Sequence, residues 1–310
     1  ARLLETKGGT NVLQKEDGSK MKVHRSGLSP ADLEYIQQVK DTKPEPAEGE
    51  EAAAEDAPPA KAKTPPGLVL WLDAADPKTV AVEGGVAQWA DKSGSNFNAV
   101  QPNAGNRPTY VQNAFGKMPM VHFESGGQWM TTDCIPATGK DPRTLVIAVA
   151  NLKQIENSLL CHLLHYGSPE NEKAYGITYR GWKSVNWGNH YWHGSLNSGI
   201  PTNSGGGYIV VAMLENGADH YIVNGGASYR QGDPWPQGAI DTAGGGQKLG
   251  LCIGGRILGG EGAWGDIGEV MAFSRAITPQ ERMSIEGYLA HKWGMADLLP
   301  AEHPFKKKGP

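Results

Sequence analysis

Cysteine, excess charge of one sign and long apolar runs are all scarce in this chain. Its 310 residues include three cysteines, Cys134, Cys161 and Cys252, too few for the disulfide framework of a small secreted scaffold. Cys161 and Cys252 lie inside apolar, strand-like runs and read either as buried free thiols or as a bridged pair, so cysteine leaves the compartment open. The formal net charge is −4, from 29 basic and 33 acidic residues. A phosphate binder gains its affinity from a basic stripe that releases counterions, so no nucleic-acid partner is expected. The short Lys306-Lys307-Lys308 tail reads as a solvated terminus. No stretch approaches the roughly 18–20 apolar residues of a membrane-spanning helix, so membrane insertion is not expected. The chain begins at Ala1 rather than Met, which reads as a processed mature form or a fragment.

Glycine, by contrast, is abundant at 42 residues, and many glycines among short β-rich runs suit an all-β domain full of tight turns. Three regions separate. Residues 1–40 read as strand, turn, strand, helix. Asn11 to Lys15, the turn Asp17-Gly18 and Met21 to His24 form a hairpin signal. Ser29-Pro30-Ala31-Asp32 then gives an N-cap, a proline at N1 and a first-turn acid. Residues 41–66 hold six prolines, seven alanines and seven acidic residues. With no large apolar side chain to offset chain entropy, they read as a semi-extended linker.

From Gly67 onward short strands follow one another, from Leu68–Leu72 through Leu145–Ala150 and Tyr208–Leu214 to Ile267–Phe273. Turn residues such as Asn216-Gly217 separate them, which predicts a sandwich. One helix closes the region. Thr278, Pro279 and Glu281 form a capping box, Ile285, Leu289 and Trp293 an apolar stripe, and Gly294 a C′ residue.

Several stretches resemble known families. Leu70-Trp71-Leu72-Asp73-Ala74-Ala75-Asp76-Pro77, Trp89 to Ala99 with Arg107-Pro108-Thr109-Tyr110, and Gly265 to Ile277 running into Glu286 to Gly294 and Leu299 to Pro304 resemble the concanavalin A-like lectin/glucanase superfamily. The likeness is to its laminin-G-like bacterial branch and covers 67–304, before a basic tail at 305–310. Val12 to Gly18, Met21 to Val23 and Leu28 to Ile36 resemble the second half of the SLA-type homology domain, a small SH3-like barrel of secreted planctomycete proteins. These resemblances imply a two-sheet antiparallel jelly-roll sandwich with one C-terminal α-helix, preceded by a small SH3-like β/α fragment. They also imply a secreted, periplasmic or cell-surface location. Function is left open, because the fold hosts lectins, glycanases and adhesive modules alike.

Glycanases of the superfamily place paired carboxylates on one strand, about 5–5.5 Å apart in retaining enzymes. Period two makes residues i and i+2 share a face, and no Glu-x-Asp run of that kind exists here. Asp266 and Glu269, three apart, should point to opposite faces. His162 with His165, and His190 with His193, should likewise diverge rather than ligate zinc. The expectation is a chain without enzymatic activity.

Two binding readings remain. Loop carboxylates in laminin-G-like relatives often hold calcium, which makes Asp73, Asp76, Asp91 and Asn96 candidate ligands. The competing reading has Asp91 and Asn96 hold a turn through backbone amides. Aromatic platforms with polar neighbours suit sugars, which makes Trp182, Trp187, Asn189, Tyr191, Trp192 and Trp235 a candidate glycan site. Alternation should turn about half of that cluster into the core. The sequence thus supports either a structural or adhesive surface module, partnered by other subunits or by copies of itself, or a glycan-binding lectin.

Overall fold

The structure is a computed structural model. It describes residues 2–7, 10–14, 20–24, 65–124, 127–153, 160–179, 187–188, 205–230, 240–246 and 249–310. The chain divides into two compact units, Ala1–Lys61 and Ala62–Pro310. In the first, β1 (Arg2–Lys7), β2 (Thr10–Gln14) and β3 (Lys20–His24) form an antiparallel sheet, with β2 and β3 paired as the hairpin signal predicts. The helix expected after Ser29 lies outside the described residues, as does the linker up to residue 64.

In the second unit the strands are β4 (Leu68–Asp73), β5 (Val80–Val82), β6 (Val86–Trp89), β7 (Ala99–Val100), β8 (Thr109–Phe115), β9 (Met118–Phe123), β10 (Met130–Thr131), β11 (Arg143–Ala150), β12 (Cys161–Gly167), β13 (Ala174–Tyr179), β14 (Trp187–Gly188), β15 (Gly207–Glu215), β16 (Ala218–Val223), β17 (Tyr229–Arg230), β18 (Leu249–Ile253) and β19 (Gly265–Phe273). They build two antiparallel sheets. Sheet I runs β17-β16-β15-β11-β19-β9-β8, with β4 also paired to β19. Sheet II runs β14-β13-β12-β18-β10-β7-β6-β5. This is an all-β, two-sheet sandwich with one α-helix among the described residues.

Alternation explains which sides are buried. Along β11, Leu145, Ile147 and Val149 share one face and sit opposite Ala212, Val210 and Tyr208 of β15 in register. Both faces of β11 and β19 are buried, because sheet I has a second cover. That cover is α1 (Pro279–Lys292), whose capping box is formed by Thr278 and Glu281. Thr144 Oγ1 ties the helix approach to β11: it donates to the Arg275 carbonyl at 2.9 Å and accepts from Ile277 N at 3.2 Å. Ile285, Leu289 and Trp293 are buried beneath the helix. Each such burial is worth about 1.5–3 kcal/mol. On the same helix, the fully buried Glu286 accepts from Arg282 at 2.7 Å and lies 3.3 Å from His303 Nε2, which pins the C-terminal segment.

All three cysteines are buried and none is in a disulfide. A Cys161–Cys252 bridge does not form, because the register sets Cys252 opposite His165 and Cys161 opposite Tyr179.

Candidate functional site

The two ends of the sandwich domain meet at a buried charge cluster. Register places Asp73, the last residue of β4, opposite Glu269 of β19. Lys292, on the last turn of α1, reaches between them, with Nζ 2.6 Å from Asp73 Oδ1 and 2.6 Å from Glu269 Oε2. Glu269 also accepts from Trp71 Nε1 at 2.7 Å, Trp293 Nε1 at 3.0 Å and the Tyr288 hydroxyl at 3.1 Å. Burial pushes the Glu269 carboxyl above its usual range, against the pull of Lys292. Burial acts in the same sense on Asp73, but hydrogen bonds from Lys292 and Lys92 outweigh it and hold that carboxyl below its usual range.

The spacing argument for Asp266 and Glu269 fails here. Ile267 pairs with Val149 and Glu269 with Ala148, so Gly268 is the extra residue of a β-bulge. Asp266 pairs with Ala150, and the two carboxylates therefore share a face. Asp266 is occupied: Oδ1 lies 2.6 Å from His122 Nδ1, and Oδ2 accepts from Asn151 Nδ2 at 2.6 Å.

The residues considered for calcium are turned toward protein donors. Lys92 Nζ lies 2.8 Å from Asp73 Oδ2 and 3.4 Å from Asp76 Oδ2, so an ammonium stands where these two carboxylates converge. Asp91 organises its own loop. It accepts from Trp71 N at 2.9 Å, Ser93 N at 2.8 Å, Ser93 Oγ at 2.8 Å and Phe97 N at 3.0 Å. Asn96 is exposed at the loop tip, with φ 64°. As arranged, these side chains do not fit a cation ligand set. Among the described residues no three His, Cys, Asp or Glu side chains could hold a metal ion together.

The outer face of sheet II differs from the polar, solvated surface an antiparallel sandwich usually shows. A register shift between His162 and Leu164 makes Leu163 an extra residue. This bulge puts His162 and His165 on one face, ring centroids 4.7 Å apart, where simple alternation would separate them. Both are buried. Beside them Cys252, Ala174 and Ile257 form a satellite apolar cluster on which the half-buried Trp129 packs. Residues 254–262 lie over this face. His165 Nδ1 accepts from Ile257 N at 3.3 Å, and His162 Nδ1 is 3.2 Å from the Glu261 carbonyl. Leu258 and Glu261 take φ values of 69° and 43°, left-handed conformations that cost of order 1 kcal/mol or more for such residues. Leu258 is also 66 % exposed.

Of the aromatic candidates, Trp187 is buried, its ring 5.0 Å from that of Tyr208 and 6.2 Å from that of Tyr179. It belongs to the core, as alternation anticipates for part of that cluster. Trp182, Asn189, Tyr191, Trp192 and Trp235 lie outside the described residues, as do His190 and His193. Sequence reasoning missed Trp129, Lys92 and Lys292. Helical spacing sets Lys292 four residues after Tyr288 and beside the apolar stripe, which is the one trace of its role in the sequence. No spacing marks Trp129.

No protein-family model and no curated protein matches the chain. Among solved structures it aligns with Trypanosoma rangeli sialidase at 15 % identity and TM-score 0.45, covering 91 % of this chain and 42 % of that one. The same sialidase with sialic acid aligns at 16 % identity and TM-score 0.45, covering 94 % of this chain and 44 % of that one. Domain 4 of a GH43 extracellular arabinanase from Geobacillus stearothermophilus, in complex with arabinotriose, aligns at 13 % identity and TM-score 0.48, covering 69 % of this chain and 95 % of that domain. The chain thus spans less than half the length of the sialidases. These neighbours are a sialidase and a domain of an arabinanase, against the expectation of a chain without enzymatic activity, which is withdrawn. At these TM-scores they assign it no reaction. No helix among the described residues is long and apolar enough to cross a membrane.

Proposed function

We propose that the sandwich is a laminin-G-like carbohydrate-recognition module that acts outside the cytoplasm and binds glycans on the outer face of sheet II. The observation that carries this reading is topological. By chain order the candidates other than Trp187 fall on connections that begin or end in sheet II: 180–186 joins β13 to β14, 189–206 leaves β14, and 231–248 enters β18. The outer face of those strands carries Trp129, buried histidines and the left-handed backbone at Leu258 and Glu261. Strained backbone of this kind concentrates at ligand clamps, and a half-buried indole stacks on the apolar face of a sugar ring. The linker of residues 41–66 would join the module to other domains or subunits of a surface assembly.

A glycan array probed with the full chain, with and without a calcium chelator, tests the reading. Binding should fall roughly tenfold in Trp129→Ala, for a loss of about 1.4 kcal/mol of stacking. It should fall similarly in Trp192→Ala. Absence of any glycan binding by the wild type, or unchanged binding in both variants, sinks it. Loss of binding on chelation would add calcium to the site.

A further inference from the structure

Lys292 and Asp73 come from opposite ends of the sandwich domain and meet in contact, 2.6 Å from Nζ to Oδ1. A third group touches the same ammonium: the carboxylate of Glu269, 2.6 Å away and held by two indole N–H groups and a phenol. Aromatic side chains enclose the cluster, with Nζ 5.3 Å from the ring centroids of Tyr288 and Trp293. Asp73, Glu269 and Trp293 are buried. We propose that Lys292 and Asp73 become joined by an intramolecular isopeptide bond, formed by the folded chain itself with Glu269 as the proton relay.

The atoms balance without any co-reactant. Glu269 takes a proton from the Lys292 ammonium and passes it to Asp73 Oδ1, and the freed Nζ lone pair attacks Cγ of the neutral acid. A C–N bond forms, and negative charge gathers on Oδ2, where Lys92 Nζ already stands at 2.8 Å to stabilise it. Oδ1, protonated by Glu269, is the leaving oxygen and also accepts from Ala75 N at 3.0 Å. A second proton from nitrogen completes the leaving water as the C–O bond breaks. Ammonium plus carboxylate thus become amide plus water, and both protons of that water come from nitrogen. Pre-set contact removes the entropic part of the barrier, since well-oriented groups react with effective molarities of about 10⁵–10⁸ M. A buried carboxyl raised above its usual range is the better base for the relay. Lys92 also touches Asp73 but makes no bond to Glu269, which assigns the reaction to Lys292.

The product would close a covalent ring over residues 73–292, so that tension between the two ends of the domain would run through the amide and bypass the strands from β5 to β19. The deciding measurement is the intact mass of the folded, full-length wild type, followed by peptide mapping. A mass lower by one water, with Asp73 and Lys292 recovered in one branched peptide, is expected. Glu269→Gln and Lys292→Arg should each restore the full mass. A natively folded wild type with its full mass overturns the proposal. So does a water loss that maps to Lys92, or to a succinimide at Asp73-Ala74. Because the wild type alone decides, a variant that fails to fold leaves the outcome intact.

Discussion

Asp266 and Glu269 stand on the same face of β19, three residues apart, because Gly268 is the extra residue of a bulge between them. The bulge is supported from the helix side. A Cβ on Gly268 would lie 2.8 Å from the Trp293 ring and 3.0 Å from the Met120 methyl. Gly268→Val should therefore overpack the interface of helix and sheet I, costing about 1–3 kcal/mol. Urea denaturation of the variant reads this directly, and an unchanged midpoint would mean that Trp293 can move away at no cost.

Arg143 offers a second site where one substitution should be severe. Its guanidinium is fully buried, and none of its partners among the described residues is a carboxylate. It donates instead to the Asp141, Ala137, Thr138 and Gly139 carbonyls, to the Tyr166 hydroxyl and to Thr242 Oγ1. This fork ties the 137–141 loop to β12 and to residue 242. Arg143→Ala strands those acceptors and leaves a cavity, so a loss of roughly 3–5 kcal/mol is expected. Arg143→Lys should recover little of it, since a single ammonium cannot span the fork. Full rescue by lysine in chemical denaturation would show that charge, not geometry, is what the site needs.

Acid should weaken the start of the helix first. The Arg275 guanidinium, 2.6 Å from Glu281 Oε1, pulls that carboxyl down to about 2. A lowered pKa means that the folded state binds the proton less readily than the unfolded chain. The Glu281 contribution is thus complete above the ordinary carboxylate range and is lost as pH falls from about 4.5 towards 2. With a third of the side chain exposed, solvent screening leaves about 1 kcal/mol at stake. Buried Glu269, whose pKa is raised, acts with the opposite sign: its contribution is present at low pH and lost as pH rises through its folded value. Thermal melts from pH 5 to 2 should show a shallower fall in Glu281→Gln than in the wild type. Parallel curves would remove Glu281 from the acid response.

Much of the architecture was legible because periodicity and capping are local. The capping box at Thr278 and Glu281 stands where the sequence places it, and so do strands such as Leu68–Asp73 and Gly265–Phe273. The two errors of facing have one cause. Period-two reasoning assigned opposite faces to Asp266 and Glu269, and to His162 and His165. In each pair a single inserted residue, Gly268 or Leu163, reverses the parity. A bulge is set by what packs above the strand, here Trp293 over Gly268, and a partner from a distant element leaves no mark in the local pattern. The pairing of Asp73 with Lys292, 219 residues apart, is hidden for the same reason. Asp91, by contrast, bonds mainly within its own loop, to Ser93 and Phe97, which is why a turn-holding reading of Asp91 could be made from local sequence.

The three thiols supply a probe of global unfolding. Cys134, Cys161 and Cys252 are buried and unbridged, and burial pushes the Cys134 and Cys252 thiols up to about 12. A thiol attacks as its thiolate, so neither should react at neutral pH while the sandwich is closed. Cys161 is shielded in the main core, opposite Tyr179 in the sheet. An aromatic disulfide reagent should therefore titrate no thiol in the native protein and all three in denaturant without reductant. The rate at low denaturant should follow the opening equilibrium of the whole domain. One early-reacting thiol would identify a local opening, and its position would say which sheet gives way. Cys252 reacting first would place that opening over the outer face of sheet II, where Ile257 and Trp129 cover it. Cys134 or Cys161 reacting first would place it between the sheets.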